Sequence, residues 1–160
     1  MTGQLENRVA VITGAGEGIG RGIANAFVKE GAKVVIAEIK PELGKQASDE
    51  LGDNAVFIQT DVSVKEDNER MIEAAIEKWG TVDILVNNAW GGGVISRVES
   101  KTPELMEKGL NVGFLGPLWA MIAAHQVMKE KSYGRIVNLC SLNGVNAHMG
   151  TVEYLSLIHI

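Results

Sequence analysis

Residues Thr13–Gly20 read TGAGEGIG, and a glycine-rich turn of this kind can cradle the pyrophosphate of a dinucleotide. One glycine lets the backbone turn tightly, and another lets it approach phosphate oxygens without a Cβ in the way. A helix that starts at such a turn adds free N–H groups and the positive end of its dipole. The segment lies between a β-branched run and a helical pattern, the context such a motif needs. Four glycines within Gly14–Gly20 cost conformational entropy, which argues against a bare turn that holds nothing. Glu38 ends the next β-branched run. An acid there accepts hydrogen bonds from the adenosine ribose hydroxyls and repels a 2′-phosphate. The alternative for Glu38 is a merely solvated strand end.

The elements that must position these groups alternate along the chain. Strands are expected at Val9–Thr13, Lys33–Ile39, Ala55–Thr60, Val82–Val86 and Arg135–Leu139. Helices are expected at Ile19–Glu30, Glu42–Leu51 and from Ser63 to Trp79, with a long stretch from about Pro103 to Lys131 and a new helix near Thr151. Gly31 suits a helix C-terminus and Pro41 a first helical position. Ser63 and Glu66 have the spacing of a capping box. Pro117, inside the long stretch, implies a kink. A loop with Gly91–Gly93 precedes that stretch. The alternation predicts βαβ units, hence an α/β fold: a three-layer, doubly wound parallel sheet of about five strands with ligand at the strands' carboxyl ends.

The glycine spacing is T-G-x-x-x-G-x-G, on Gly14, Gly18 and Gly20, rather than the commoner G-x-G-x-x-G. In this the chain resembles the short-chain dehydrogenase/reductase family, a Rossmann-fold family, along nearly its whole length. The resemblance implies a dinucleotide site made by Thr13, Gly14, Gly16, Glu17, Gly18, Ile19, Gly20, Glu38, Asp61, Val62, Asn88 and Ala89. Members that prefer NADP often carry a basic residue where this chain has Glu17, so Glu17 and Glu38 together point to NAD. Asp61, in the pattern D-V with Val62, corresponds to the acid beside the adenine amino group. Asn87-Asn88-Ala89 matches the family's N-N-A-G except that Trp90 stands in place of the glycine. That indole either reshapes the floor of the nicotinamide pocket or simply turns into an enlarged loop.

The resemblance also implies chemistry. Asn111 (in N-V-G) matches the asparagine that organises a water and the helix bend, and Ser141 matches the serine that hydrogen-bonds the substrate oxygen. Tyr154, thirteen residues after Ser141, matches the tyrosine that passes the hydroxyl proton while hydride moves to or from the nicotinamide. The family pattern Y-x-x-x-K breaks here, because Ile158 holds the lysine position. A free phenol has a pKa of about 10, so bringing one near neutrality takes about 3 units, or roughly 4 kcal/mol. The family lysine supplies much of that, whereas isoleucine offers neither charge nor donor. The expected activity is NAD-dependent hydride transfer between NAD(H) and a secondary alcohol or ketone, strongly impaired in the chain as written.

Leu155–Ile160 reads LSLIHI and leaves the family pattern abruptly after Tyr154. It looks like the translation of a transposon-end adapter. The expectation is a domain over 1–154, short of the family's C-terminal strands and substrate lid, with a non-native tail at 155–160. A divergent natural terminus is the alternative, and sequencing the source gene across codon 154 decides it. The intact family member is expected to be a homo-oligomer, a dimer or tetramer, pairing its long helix and its tyrosine helix across subunits.

The composition is ordinary for a globular chain: 160 residues, net charge −5, and no basic block, which argues against nucleic acid and acidic membranes as partners. No signal peptide and no bilayer-length apolar run is evident, and the single Cys140 has no internal disulfide partner, so a reducing, cytoplasmic setting is expected. No histidine or cysteine pair has metal-site spacing. Cys140 and His125 read as packing or surface residues, while Asn143 and His148 are candidates to line the substrate pocket. The rival readings are a non-catalytic dinucleotide-binding module, an enzyme that uses NADP, and a scaffold that binds no dinucleotide.

Overall fold

The computed structural model describes residues 3–91, 96–146 and 149–159. His148 and part of the Gly91–Gly93 loop lie outside the described residues. The strands are β1 (Val9–Thr13), β2 (Lys33–Glu38), β3 (Ala55–Gln59), β4 (Ile84–Asn87) and β5 (Arg135–Asn138). They form one sheet in the order β3-β2-β1-β4-β5, and each described pairing is parallel.

The helices are α1 (Gly18–Lys29), α2 (Pro41–Leu51), α3 (Lys65–Trp79), α4 (Pro103–Leu110), α5 (Gly116–Glu130) and α6 (Val152–His159). Strand side chains alternate between faces, so each strand feeds two cores. Val9, Val11, Val35 and Leu85 pack with Met71 and Ile72 of α3 and Ala120 and Ala124 of α5. Ala10, Ile12, Val34, Ile36 and Val86 pack with Ala24 of α1 and Ala47 of α2. The result is the expected three-layer, doubly wound architecture. The chain runs outward from β1 through β2 to β3, then returns to β4 on the other side of β1. The switch between β1 and β4 opens a crevice at their carboxyl ends.

Several expected boundaries hold. Gly31 follows α1 with φ +91°, a conformation that glycine adopts without a Cβ clash, and Pro41 is the first residue of α2. The capping box does not form. α3 starts at Lys65 behind Val64, with no side-chain cap. The Ser63 hydroxyl and N–H both donate instead to Asp61 Oδ1, at 2.6 and 2.9 Å. This Asp61 turn, closed by the Val64 N–H on the Asp61 carbonyl, puts Val64 rather than Ser63 at the helix N-cap, so the serine is one residue too early to cap it. Buried Asn68 then ties the turn to the helix by donating to the carbonyls of Val62 and Val64.

The long stretch is broken ahead of Pro117. Residues Asn111–Leu115 form a π segment between α4 and α5, in which the Gly116 N–H donates to the Asn111 carbonyl. Proline has no N–H for the preceding turn, and its ring crowds the carbonyl four residues back, so a wider turn absorbs the misfit. Gly116 permits close approach as well, since a Cβ there would lie 2.6 Å from the Val62 carbonyl oxygen.

Candidate active site

The glycine turn leaves β1 and enters α1 at the crevice, and its glycines serve different ends. Gly14 and Gly18 have φ of +62° and +58°, where a side chain is strained. Gly20 abuts the Gly14 carbonyl and the Asn88 amide, leaving no room for a Cβ. A Cβ on Gly16 would lie 2.8 Å from Glu38 Cγ. In front of Gly18, nothing lies within 4 Å of where a Cβ would be. α1 has no side-chain cap at Glu17, and its first backbone bond runs from the Arg21 N–H to the Glu17 carbonyl. The N–H groups of Gly18, Ile19 and Gly20 precede that bond and are unused by the helix. These donors, with open space before Gly18, fit a ligand bearing phosphate oxygens.

Thr13 and Asn88 lock the turn to the far side of the switch point. The Thr13 hydroxyl accepts the N–H groups of Asn88 and Ala89, both at 3.0 Å, and donates to the Val86 carbonyl at 3.4 Å. Asn88 Nδ2 donates to the carbonyls of Thr13 (2.8 Å) and Gly14 (3.2 Å). Thr13 and Asn88 therefore shape the cradle, with most of their hydrogen-bonding capacity used inside the protein. Asn87 Nδ2 donates to Asn138 Oδ1 at 2.8 Å, joining the ends of β4 and β5.

Glu38 is not a solvated strand end, being only 5% exposed. Its Oε2 accepts the Gly16 N–H at 3.1 Å, and its Oε1 accepts those of Ile39 and Lys40 at 3.0 and 3.1 Å. A carboxylate has about four acceptor sites, so one direction stays open, on Oε2. Glu17 is engaged differently: its Oε1 accepts from Lys40 Nζ at 2.6 Å in an exposed ion pair. The hydrogen bond and charge of Glu17, helped by the charge of Glu38, hold the Lys40 ammonium pKa above the ordinary lysine value. Asp61 lies past β3, with Oδ1 taken by Ser63 and its own N–H donated to Asp67 Oδ2 at 2.8 Å. Val62 is buried beside Gly116.

A cavity of about 600 Å³ runs along the carboxyl ends of β4 and β5. Ile19, Asn88 and Ala89 line it at the cradle end, and Tyr154 and Ile158 line it from α6. Trp90, Phe114, Pro117, Leu118, Met121, Leu139 and Cys140 make its wall mostly apolar, with Asn87 and Asn138 as polar points. Trp90 neither turns away nor merely extends a loop. Its ring stacks on Tyr154 at 4.7 Å between centroids, tilted by 49°.

The other two expected catalytic residues stand differently. Ser141 follows Cys140 at the cavity edge, and its Oγ accepts the Asn143 N–H at 3.2 Å, capping a short 3-10 turn over Leu142–Gly144. Asn111 opens the π segment and contributes its carbonyl to it. Neither Asn111, Ser141 nor Asn143 is among the residues lining the cavity. The sequence reading missed Lys40, Asn138 and the apolar wall from α5. Only Pro117 announced itself in the sequence, as a helix interruption.

Comparison with known proteins agrees with this geometry. The family model described as short chain dehydrogenase matches residues 8–156. Zerumbone synthase of Zingiber zerumbet is 37% identical over 98% of this chain and 60% of its own length. A diacetyl reductase [(S)-acetoin forming] of Staphylococcus epidermidis is 35% identical over 96% of this chain and 61% of its own. The crystal structure of a 3-ketoacyl-(acyl-carrier-protein) reductase from Brucella melitensis, complexed with NADH, aligns with a TM-score of 0.94 at 34% identity, covering 98% of this chain and 66% of that one. The chain thus spans about 60% of the length of the curated relatives it matches. With the T-G-x-x-x-G-x-G turn, the parallel sheet and a family match from Arg8 onward, the chain belongs to the short-chain dehydrogenase family.

Proposed function

We propose that this chain carries the cofactor half of an NAD-dependent oxidoreductase that moves hydride between NAD(H) and a secondary alcohol or ketone. The observation that carries the reading is the continuous cavity lined by both Ile19, at the start of α1, and Tyr154. One end of it offers unused helix N–H groups and the other a phenol. The NADH complex of the Brucella reductase and the ketone-reducing relatives support the same assignment.

On this reading the first-turn N–H groups of α1 hold the pyrophosphate, with Gly14, Gly16, Gly18 and Gly20 letting the backbone come close. Glu38 accepts one ribose hydroxyl on the open side of Oε2 and disfavours a 2′-phosphate there. Asp61, Val62 and Ala89 border the remainder of the dinucleotide. A bound nicotinamide would supply the hydride acceptor or donor. Tyr154 holds the proton that leaves or joins the substrate oxygen, Ser141 orients that oxygen, and Asn111 shapes the helix bend behind it. The apolar wall excludes water from the reacting centre.

Ile158 lines the same cavity one helical turn beyond Tyr154 and provides no cation there. This favours a second reading in which the chain as written binds a dinucleotide without turning it over. Titrating the 160-residue chain with NADH and NADPH, alongside a ketone-reduction assay, tests both. Tight NADH binding with turnover far below that of the family is expected. Absence of NADH binding overturns the dinucleotide reading, and family-typical turnover overturns the impairment.

The exposed apolar side chains Phe114 and Ile122, along the π segment and α5, suit the homo-oligomer proposed for the intact protein. A cytoplasmic setting is consistent with an exposed free thiol at Cys140. Among the described residues, no helix is long and apolar enough to cross a membrane.

A further inference from the structure

The wall of the cavity beside Tyr154 selects by its chemistry. Among the described residues that line it, none carries a formal charge. Trp90, Phe114 and Leu139 line it and are exposed, Trp90 by 42%. The indole meets the Tyr154 ring at 4.7 Å between centroids and still leaves much of its own surface uncovered. The amide nitrogens along the wall are already committed. Asn87 Nδ2 donates to Asn138 Oδ1 at 2.8 Å, and Asn138 Nδ2 is 3.7 Å from Met121 Sδ. Asn88 Nδ2 donates to the carbonyls of Thr13 and Gly14. A carboxylate or phosphate brought to this wall finds no cation, and burying it unpaired is costly. A polyol gives up hydrogen bonds to water and meets amide nitrogens that donate elsewhere. An uncharged apolar group gives up neither, and a flat one can lie on the open indole.

We infer that Trp90 sets the substrate class: it is a stacking platform beside Tyr154 that selects uncharged ketones and alcohols with a flat aromatic or conjugated ring next to the reacting carbon. This deepens the proposed hydride-transfer site and rests on that reading. A substrate oxygen within hydrogen-bond reach of the Tyr154 hydroxyl brings the group on its carbon alongside the phenol ring, and the indole is the neighbour of that ring. A planar ring there stacks on the indole, whereas a saturated ring of equal size touches it at fewer atoms. An acid group in the same place is left unpaired against Trp90, Phe114 and Leu139. The class is thus set by two properties of the wall, its flat indole and its lack of charge.

The test is titration of the NADH-saturated chain with three ketones of similar size: acetophenone, cyclohexyl methyl ketone and benzoylformate. Binding is followed through the indole N–H resonances of Trp79, Trp90 and Trp119, with that of Trp90 identified by its loss in Trp90→Leu. Acetophenone is expected to bind about fivefold more tightly than cyclohexyl methyl ketone, the size of one aromatic pair, and to shift the Trp90 resonance most. Benzoylformate, which adds a carboxylate to the same ring, is expected to bind at least about tenfold more weakly than acetophenone. Trp90→Leu should erase the preference for acetophenone over cyclohexyl methyl ketone, and Trp90→Phe should keep most of it. Should Trp90→Leu not fold, the three ketones on the unchanged chain and on Trp90→Phe carry the test. NADH binding without a preference for acetophenone refutes the platform and leaves the dinucleotide reading standing. A preference that survives in Trp90→Leu also refutes it, since another part of the wall then supplies it. Benzoylformate bound as tightly as acetophenone overturns the uncharged class. A chain that binds no NADH takes down the dinucleotide reading and the platform with it.

Discussion

The Trp90 indole lies on the Tyr154 ring, 4.7 Å between centroids at a tilt of 49°. The contact joins the loop after β4 to α6. Tilted aromatic pairs of this spacing contribute about 0.5–1.5 kcal/mol beyond area burial. Trp90→Ala is therefore expected to loosen α6 while leaving the sheet intact. Amide exchange over Val152–His159 should accelerate several-fold, with the strands unaffected. Unchanged exchange in α6 would show that the ring contact holds nothing.

Ile158 shares the cavity with Tyr154, so Ile158→Lys places a cation on the wall that the phenol already faces. A nearby positive charge favours an ionised phenol. Ketone reduction with NADH is expected to rise by at least about tenfold, the equivalent of one pKa unit. The pH at which alcohol oxidation switches on should move lower. A rate increase without that movement would point to a packing effect of the longer side chain.

The glycines should rank by what each faces. Gly20→Ala drives a Cβ into the Gly14 carbonyl and should be the most damaging to folding. Gly18→Ala meets open space but positive φ, a strain of about 1–2 kcal/mol. Gly16→Ala pushes on Glu38 Cγ and Leu43 Cβ at 2.8 and 2.9 Å. It should displace the Glu38 carboxylate and weaken NADH binding more than it lowers the melting temperature. Thermal unfolding and NADH titration on the three variants check the order.

Asn88→Ala removes the donor shared by the Thr13 and Gly14 carbonyls. Leaving part-buried acceptors unmet costs about 1–3 kcal/mol. For a chain of this size the melting temperature should fall by about 5 °C. Thr13→Val strips the acceptor from two amides at once and should cost at least as much. Differential scanning calorimetry of the two variants provides the measurement.

β5 is exposed along its length, with Ile136 and Val137 at 40% and 45% exposure on an edge of the sheet. Parallel strands are normally covered on both faces. The unchanged chain is expected to self-associate on warming, and Val137→Lys to suppress this with little change in melting temperature. Light scattering during a thermal ramp reads both quantities.

Much of the fold was legible in the sequence because local pattern encodes it. VAVIT at Val9–Thr13 and KVVIAE at Lys33–Glu38 are buried runs of the kind a parallel sheet requires, and both are strands. Gly31, Pro41 and Pro117 acted through their own backbone constraints, so their effects appeared where expected. The Ser63–Glu66 spacing misled because the turn built on Asp61 delays the helix by one residue, leaving Val64 at the N-cap.

By itself, then, the sequence determined the alternation of elements, the glycine turn and the acid that follows it, since these depend on residues a few positions apart. Tertiary structure decided how those parts engage one another. It turned Glu38 inward onto the Gly16 amide, tied Glu17 to Lys40, and set Asn88 against Thr13 across 75 residues of chain. It also laid Trp90 on Tyr154 and brought Ile158 into the same cavity. Such contacts follow from the strand order β3-β2-β1-β4-β5, which places the ends of β1, β2 and β4 side by side. No local periodicity carries that order, because it is set by which faces bury most completely against α1, α2, α3 and α5.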